Sequence, residues 1–320
     1  MGQILSSVRQ AHRSEGLGVV WRCWGYQRPA GWPRLRSGVM ARARCPGSAL
    51  KVVHAGGSTR IRAPRPLPRG PSREGSPMPT TYPLVRTKSG IQVQTPESAI
   101  PIRTILGIGR NYAEHAREQG ANLPDRPMVF TKNPGSLALD GEDIVVPPVA
   151  RDLACGGNQT DFEAELGVIL ARDVRDISRD EALSCVLGYC CANDVSARWW
   201  QKQGSGGQFW RGKSFDTFCP IGPAVVPAGS VADPQALRVI CRVNGETMQD
   251  GTTADMIFPV ADLIADLSRG ITLEAGTVIL TGTPSGVGMA RTPPVWLADG
   301  DTVEIEIPGL GTLTNRVRFG

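Results

Sequence analysis

DFEAEL at residues 161–166 runs directly into the apolar stretch GVIL at residues 167–170, and together they predict a strand. Because side chains alternate between the two faces of a strand, Glu163 and Glu165 should project to one side while their apolar neighbours point to the other. Two carboxylates this close repel each other in a low-dielectric pocket unless a cation or a shared proton compensates. A bound metal is the usual reason for such a pattern. A solvent-facing edge strand with two hydrated acids is the alternative that these residues leave open.

Charge is distributed unevenly along the 320 residues. Residues 1–78 hold 14 Lys and Arg against two acids, and the other 242 residues carry the remaining 21 basic and 28 acidic groups. A mildly acidic body gives no support to a nucleic-acid-binding surface, which needs a basic stripe. No run approaches the roughly 18 apolar residues of a membrane span, so we expect neither a nucleic-acid nor a membrane partner.

The basic arm, residues 1–78, is rich in Arg, Pro, Gly and Ser, and we expect it to be disordered. Its start places Ile4 and Val8 on one helical face and Arg9 on the other, which is typical of a mitochondrial presequence. Translated upstream sequence ahead of a true start at Met78 explains the arm equally well. The domain organisation predicted is therefore an arm over 1–78 and a catalytic domain over 79–320.

Eight cysteines are scattered without a CxxC pair, and most lie in or near apolar runs. This pattern is typical of reduced core residues in an intracellular protein, because a secreted framework would be denser. We expect a mitochondrial or cytoplasmic protein, not a secreted one.

Histidine is scarce: of the three in the chain, His12 and His54 lie in the arm, and the body has only His115. A histidine-rich zinc or copper site is thereby excluded for the body, so any metal there must be held mainly by oxygen. Oxygen ligands favour Mg²⁺, Mn²⁺ or Ca²⁺.

Residues 111–119 predict a short helix, on which His115 and Glu118 are three residues apart and share a face. Glu118 would then hold and charge-stabilise the imidazole, which makes His115 a candidate general base. On this pair alone, an exposed helix with a solvated histidine is the favoured alternative.

A buried strand over residues 188–192 leads to Asp194, which leaves the apolar strand for a polar turn and could be a third metal carboxylate. Arg198 and Gln201 follow at helical spacing among two tryptophans, so one face could offer a guanidinium and an amide to an anionic substrate. A tryptophan-anchored surface helix is the alternative for this segment.

Lys213 lies among aromatic residues, glycine and proline, so it should be held still, unlike a lysine on a solvated helix face. Thr283 belongs to a glycine-rich loop directly after the apolar strand at residues 277–280. The loop lacks the Gly-Lys-Ser/Thr ending of a nucleotide-binding P-loop. Its backbone N–H groups and the Thr283 hydroxyl could still bind a carboxylate.

Other local patterns predict a type I′ hairpin at Asn244-Gly245, a helix over 260–268 and two closing strands within 301–317 around Pro308-Gly309. A capping box over 178–181 predicts a helix from about 179 to 186.

Five blocks together resemble the fumarylacetoacetate hydrolase family, specifically its catalytic C-terminal domain. They occur in the family's order: GRNYAEH (109–115), DFEAEL (161–166), NDVSAR (193–198), GKSFD (212–216) and LTGTP (280–284). The segment GKSFDTFCPIGP (residues 212–223) is most similar to the small fumarylacetoacetate hydrolase domain-containing proteins, in particular those of type 2. The resemblance covers residues 104 to 317, about two thirds of the chain.

The resemblance implies a strand-rich α+β fold, a mixed β-sandwich roll, which assembles as a homodimer. It also implies that Mg²⁺ is held by Glu163, Glu165 and Asp194. A non-enzymatic dimer that kept the fold is a remote alternative.

Members of the family cleave C–C bonds of acylpyruvates and related β-diketo acids, decarboxylate oxaloacetate or tautomerise it. The resemblance implies that Lys213 stabilises the developing anion and that His115 with Glu118 moves a proton or activates water. Arg198, Gln201 and Thr283 are the candidate substrate-binding residues for a 2-oxo acid. We expect a C–C bond hydrolase, with oxaloacetate tautomerase or decarboxylase as the alternative.

Overall fold

Strands form most of the regular structure in the computed structural model of the chain, which describes residues 81–118, 120 and 122–320. The expectations for the basic arm, and for its boundary with the catalytic domain near residue 78, lie outside the described residues.

Seventeen strands are found within the described residues, and they are numbered here in chain order. They are β1 Leu84–Thr87, β2 Gly90–Gln94, β3 Ala99–Pro101, β4 Ile105–Gly109, β5 Met128–Lys132, β6 Leu137–Ala138, β7 Ile144–Val146, β8 Thr160–Asp161, β9 Ala164–Leu170, β10 Val186–Asn193, β11 Ser196–Ala197, β12 Cys219–Pro227, β13 Arg238–Val243, β14 Glu246–Thr252, β15 Val278–Leu280, β16 Thr302–Ile307 and β17 Gly311–Phe319.

Helices are few and short in the same part of the chain. They are α1 Ala113–Glu118, α2 Pro148–Arg151, α3 Arg179–Ala182, α4 Arg198–Lys202, α5 Trp210–Lys213 and α6 Val260–Leu267. None of the described helices is long and apolar enough to cross a membrane.

The strand predicted from DFEAELGVIL lies at the centre of a seven-stranded mixed sheet. The strand order is β5-β4-β15-β9-β10-β12-β6, so β9 has hydrogen-bonded neighbours on both sides. All seven residues of β9 are buried. The alternative of a solvent-facing edge is therefore wrong, because both faces of this strand and both its edges are covered.

Other sheets cover the two faces of the central sheet. One face, with Leu166 and Val168, packs in a core shared with Val303 and Ile305 of the five-stranded sheet β14-β13-β16-β17-β7. The other face, with Ile169, contributes to a second core that includes residues of the small sheet β1-β2-β3. Burial on both faces explains why the sequence here is a continuous apolar run. The predicted strand-rich α+β class is confirmed.

Several local predictions are also confirmed, because turn and periodicity signals act over a few residues. The Asn244-Gly245 turn joins β13 to β14, and both residues have positive φ, as a type I′ turn requires. Helix α6 and the closing strands β16 and β17 lie where the pattern predicted them.

The helix predicted to reach residue 186 is shorter than expected. Helix α3 ends at Ala182 and continues as a 3-10 turn over Leu183–Cys185, after which β10 begins. The Ser178 hydroxyl bonds the Glu181 side chain at 2.8 Å, and it caps no backbone N–H. The box therefore forms its side-chain contact without a backbone cap, and the predicted helix is divided between one α-helical turn and one 3-10 turn.

Candidate active site

Three carboxylates converge where β9 and β10 pair. Glu163 lies in the short gap between β8 and β9, while Glu165 is the second residue of β9 and pairs with Ala192 in β10. Asp194 follows β10, and its backbone N–H donates to the Glu163 carbonyl at 2.9 Å. The three residues are no more than 5% exposed, and their candidate ligand oxygens lie within 4.8 Å of one another. Glu163 and Glu165 lie close together because they are two residues apart in sequence. Asp194 joins them because β10 pairs with β9.

Buried cations surround this carboxylate cluster. Lys213 Nζ lies 2.6 Å from both Glu163 Oε2 and Asp194 Oδ2. Arg198 Nη2 lies 2.8 Å from Glu163 Oε1. Lys132 contacts the other Asp194 oxygen and donates to the Phe218 carbonyl at 2.7 Å. Each cation is buried, so these ion pairs act in a medium where charges interact strongly.

The carboxylates differ in how their charge is compensated. Burial alone would raise the pKa of Glu163, but the charges of Lys213 and Arg198 outweigh it and hold that pKa below its usual value. For Glu165, burial and then the charges of Asp194 and Glu163 raise the pKa well above its usual value. Within the described residues Glu165 makes no ion pair, and its carboxylate accepts one backbone N–H, from Gly282 at 2.7 Å.

The donor set fits a divalent metal ion. Three buried carboxylates offer the hard oxygen ligands that Mg²⁺, Mn²⁺ and Ca²⁺ prefer. The incompletely compensated charge of Glu165 adds to the fit, since a buried carboxylate without a cation is strongly disfavoured. All three candidate ligands of the cluster are carboxylates.

His115 and Glu118 lie on α1 and form a close pair. His115 Nδ1 is 2.6 Å from Glu118 Oε1, and His115 is 3% exposed. The alternative of a solvated histidine on an exposed helix is therefore wrong. Since a carboxylate can only accept a hydrogen bond, His115 Nδ1 is the donor in this pair. The second Glu118 oxygen accepts from Gly286 N–H at 2.9 Å, which ties α1 to the glycine-rich loop.

All three candidate substrate-binding residues, Arg198, Gln201 and Thr283, form hydrogen bonds with other residues of the protein. Arg198 donates through Nε to Asp161 at 2.8 Å and through Nη1 to Gln201 at 3.0 Å, in addition to its contact with Glu163. The Thr283 hydroxyl donates to the Ala164 carbonyl at 2.8 Å, and it accepts from Gln249. Arg198 therefore holds the side chains of Asp161, Glu163 and Gln201 in place. Thr283 links the glycine-rich loop to β9.

One cavity contacts six of the nine candidate residues: His115, Glu163, Glu165, Gln201, Lys213 and Thr283. The next layer of its walls holds Asp194, Arg198 and Glu118, each bonded to a lining residue. The cavity also contacts Arg110, Phe130 and Phe209, to which no role was given from the sequence. Chemically, the arrangement combines an oxygen cluster for a cation, a lysine ammonium and a histidine whose orientation is fixed.

Two further residues of this network were missed from the sequence. Lys132 ends β5, which is separated from β10 by three strands of the sheet, yet it reaches Asp194 because the sheet is curled. Asp161 accepts from Gly288 and Met289 N–H as well as from Arg198. A lone lysine closing a strand before Asn-Pro was the available signal for Lys132. Asp161 had no such signal, since Arg198, Gly288 and Met289 are distant from it in sequence.

The fold and the site together define a strand-rich α+β protein with a buried three-carboxylate cluster beside a lysine and a His–Glu pair. The family profile described as fumarylacetoacetate (FAA) hydrolase C-terminal matches residues 104–318. The chain belongs to the fumarylacetoacetate hydrolase family, as the five sequence blocks predicted.

Relatives and solved structures agree with this family. The chain is 44% identical over 213 residues to oxaloacetate tautomerase FAHD2A, mitochondrial, of Homo sapiens, which covers 67% of this chain and 66% of that protein, just under two thirds of its length. It is 44% identical over 219 residues to oxaloacetate tautomerase YisK of Bacillus subtilis (strain 168), covering 68% and 70%. The solved fumarylacetoacetate hydrolase of the psychrophile Exiguobacterium antarcticum matches with a TM-score of 0.63 at 33% identity, over 75% of this chain and 99% of that one.

Proposed function

We propose that this protein is a divalent-metal-dependent enzyme that interconverts the enol and keto forms of oxaloacetate. The observation that carries the proposal is the buried cluster of Glu163, Glu165 and Asp194 in a cavity that also holds Lys213 and His115. The choice of oxaloacetate is supported by the names of the human and Bacillus relatives.

The reaction moves one proton between the oxygen on C2 and carbon C3, and it breaks no C–C bond. A divalent cation held by Glu163, Glu165 and Asp194 would polarise the 2-oxo group and bind the adjacent carboxylate. Lys213, already held by two of these acids, donates a hydrogen bond to the negative charge that develops on the C2 oxygen. His115, oriented by Glu118, carries the proton.

Hydrolysis of a C–C bond in an acylpyruvate is the second candidate function. It is favoured by the 2.6 Å contact between His115 and Glu118, because such a pair can also activate water. Decarboxylation of oxaloacetate uses the same polarised 2-oxo group and is a third outcome of the same chemistry.

Further properties are proposed with this function. Mg²⁺ is the ion proposed, with Mn²⁺ or Ca²⁺ as substitutes that oxygen ligands accept. A homodimer is proposed from the family. The name of the human relative supports a mitochondrial location, and a cytoplasmic location is the alternative.

The test compares two reactions of the purified full chain, after removal of metal by a chelator and after addition of Mg²⁺. We expect Mg²⁺-dependent conversion of oxaloacetate enol to keto that is faster than cleavage of acetylpyruvate. Glu163→Gln should abolish it, whereas Glu274→Gln, the same change at an exposed site that has no ion pair among the described residues, should not.

Other results would redirect the proposal. Cleavage of acetylpyruvate that exceeds tautomerisation of oxaloacetate would make hydrolysis the main activity, and loss of carbon dioxide would point to decarboxylation. Bound Mg²⁺ with no turnover of either acid would favour a non-enzymatic dimer that kept the fold.

A further inference from the structure

Arg110 lies directly after β4 and contacts the same cavity as His115 and Lys213. Its backbone has φ 56°, a left-handed conformation that is uncommon for a residue other than glycine. Such conformations persist only where the surroundings enforce them, and they cluster at functional sites.

The next residue, Asn111, fixes this turn. Asn111 is fully buried, and its side-chain amide donates to the Thr281 carbonyl at 2.8 Å and to the Phe258 carbonyl at 3.0 Å. Its side-chain oxygen accepts from Phe258 N–H at 2.8 Å. Three bonds to two distant segments hold the chain at Asn111, directly after Arg110, and Arg110 itself lines the cavity.

Arg110 differs from Arg198, whose guanidinium pairs with Asp161 and Glu163. In the part of the chain that the structure describes, Arg110 makes no ion pair, and its Nε is buried without a hydrogen-bond partner. Buried N–H groups without a partner are rare, and a charged one is especially unfavourable. A ligand with an acceptor oxygen would satisfy this group.

We propose that Arg110 binds the distal carboxylate of a dicarboxylic 2-oxo acid and so selects dicarboxylates over neutral analogues; this rests on the proposed function. The 2-oxo end of such a substrate belongs at the carboxylate cluster and Lys213. Arg198 and Lys213 are already paired with buried acids, so neither can neutralise a second substrate carboxylate. Arginine suits the task because its Nε and Nη groups bind both oxygens of a carboxylate side by side.

Two phenylalanines line the same cavity as Arg110. Phe130 and Phe209 contact the cavity and each other, with ring centroids 5.6 Å apart. Phenylalanine offers no hydrogen bond, so an anionic end of the substrate near these rings must find its partner elsewhere. A low-dielectric wall also strengthens the attraction between a guanidinium and a carboxylate.

The test uses two substrates that differ at the distal group. Oxaloacetate has a carboxylate where acetylpyruvate has a neutral acetyl group, and both share the 2-oxo acid end. The quantity measured is the ratio of kcat/KM for enol–keto conversion of oxaloacetate to that of acetylpyruvate, in the Mg²⁺-loaded full chain. A ratio is insensitive to partial misfolding, because loss of active protein lowers both values equally.

Arg110→Met should lower this ratio roughly 10- to 100-fold, mainly through a higher KM for oxaloacetate, as expected for loss of a hydrogen bond to a charged group. Arg110→Lys should restore part of the ratio, since it keeps the charge without the side-by-side geometry. The matched control is Arg103→Met, which changes an exposed arginine two residues before β4 begins. It should leave the ratio unchanged.

An unchanged ratio in Arg110→Met would overturn the inference, whether both activities stay or both fall together. Failure of the proposed function gives a different result, namely no turnover of oxaloacetate by the wild type. Calorimetry then decides: the wild type should bind oxaloacetate more tightly than acetylpyruvate, and Arg110→Met should remove that difference. Equal binding of the two acids by the wild type would also overturn it.

Discussion

Two walls of the same cavity are built in different ways. The carboxylate wall consists of Glu163, Glu165 and Asp194 at the paired central strands, where all three are buried and Glu163 and Asp194 pair with buried cations. The dyad wall consists of His115 and Glu118 on a helix of six residues, and the Glu118 side chain is 20% exposed. The first wall carries buried charges that the fold must balance, whereas the second carries a proton-transfer pair whose carboxylate is partly exposed.

This difference predicts that changes in the carboxylate wall affect stability first, and that changes in the dyad wall affect activity first. Removal of one partner from a buried ion pair leaves an uncompensated charge, which is strongly destabilising. Replacement of His115 eliminates a chemical step and leaves the partly exposed Glu118 carboxylate without this partner.

The largest effect is expected for Lys132→Met. It keeps most of the side-chain volume but leaves Asp194 without one of its two cations and the Phe218 carbonyl without its donor. The free energy of unfolding should fall by about 3–5 kcal/mol, the usual loss when a buried pair is broken. Urea denaturation measures it.

The control for this change is Lys88→Met, the same substitution at an exposed lysine, which should alter stability little. A loss of less than about 1 kcal/mol in Lys132→Met, as at surface ion pairs, would contradict the view that the carboxylate wall depends on charge balance.

His115→Ala should lower kcat by about 10² to 10⁴, the usual contribution of a general base. Glu118→Ala should lower it less, because the imidazole remains but loses the 2.6 Å contact that orients it. The double variant should be little worse than His115→Ala alone, since the carboxylate acts through the histidine. Steady-state kinetics of all four proteins measure this coupling.

Additive losses from the two single changes would refute the coupled pair. Mg²⁺ affinity, measured by calorimetry, serves as the control, because neither residue belongs to the carboxylate cluster. A large loss of Mg²⁺ affinity in His115→Ala would show that the dyad wall also contributes to metal binding.

Features that depend on residues close in sequence could be predicted, and features that depend on strand order could not. The shared location of Glu163 and Glu165, the His115–Glu118 pair and the Asn244-Gly245 turn all follow from spacing of a few residues. The contact between Lys132 and Asp194 joins residues on strands that the sheet separates and its curl brings together. No local pattern encodes that curl.

Arg110 illustrates the same limit. The motif GRNYAEH was identified, but its arginine received no role, because an arginine between glycine and asparagine gives no sign of its partners. The signal lies in the contacts of Asn111 with the backbone at Thr281 and Phe258, which are about 150 residues away or more. The helix itself begins at Ala113, two residues later than predicted, since these contacts hold Asn111 outside it.

Glu165→Gln should make the metal-free protein more stable, in contrast to Lys132→Met. Glu165 is buried without an ion pair in the described residues, and burial and its acidic neighbours raise its pKa. The amide removes the unfavourable charge and keeps the shape, so the Tm measured in chelator should rise by a few degrees. Addition of Mg²⁺ should raise the Tm of the wild type but not of the variant. A lower Tm in chelator would show that the charge of Glu165 is compensated.

The smallest effect is expected for an ion pair outside both walls. Arg86 Nε donates to Glu142 Oε1 at 2.7 Å, and both side chains are about one third exposed or more. The hydrogen bond from Arg86 lowers the pKa of Glu142, so this pair stabilises the fold above the usual carboxyl pKa of 4.5, and the stabilisation is lost as the pH falls through the lowered value. Arg86→Met should therefore cost less than about 1 kcal/mol near pH 7 after solvent screening, and the difference from wild type should shrink in acid. Urea denaturation at neutral and acidic pH measures both values. A loss as large as that of Lys132→Met would mean that burial does not set the strength of these ion pairs, and the distinction between the carboxylate wall and the surface would fail.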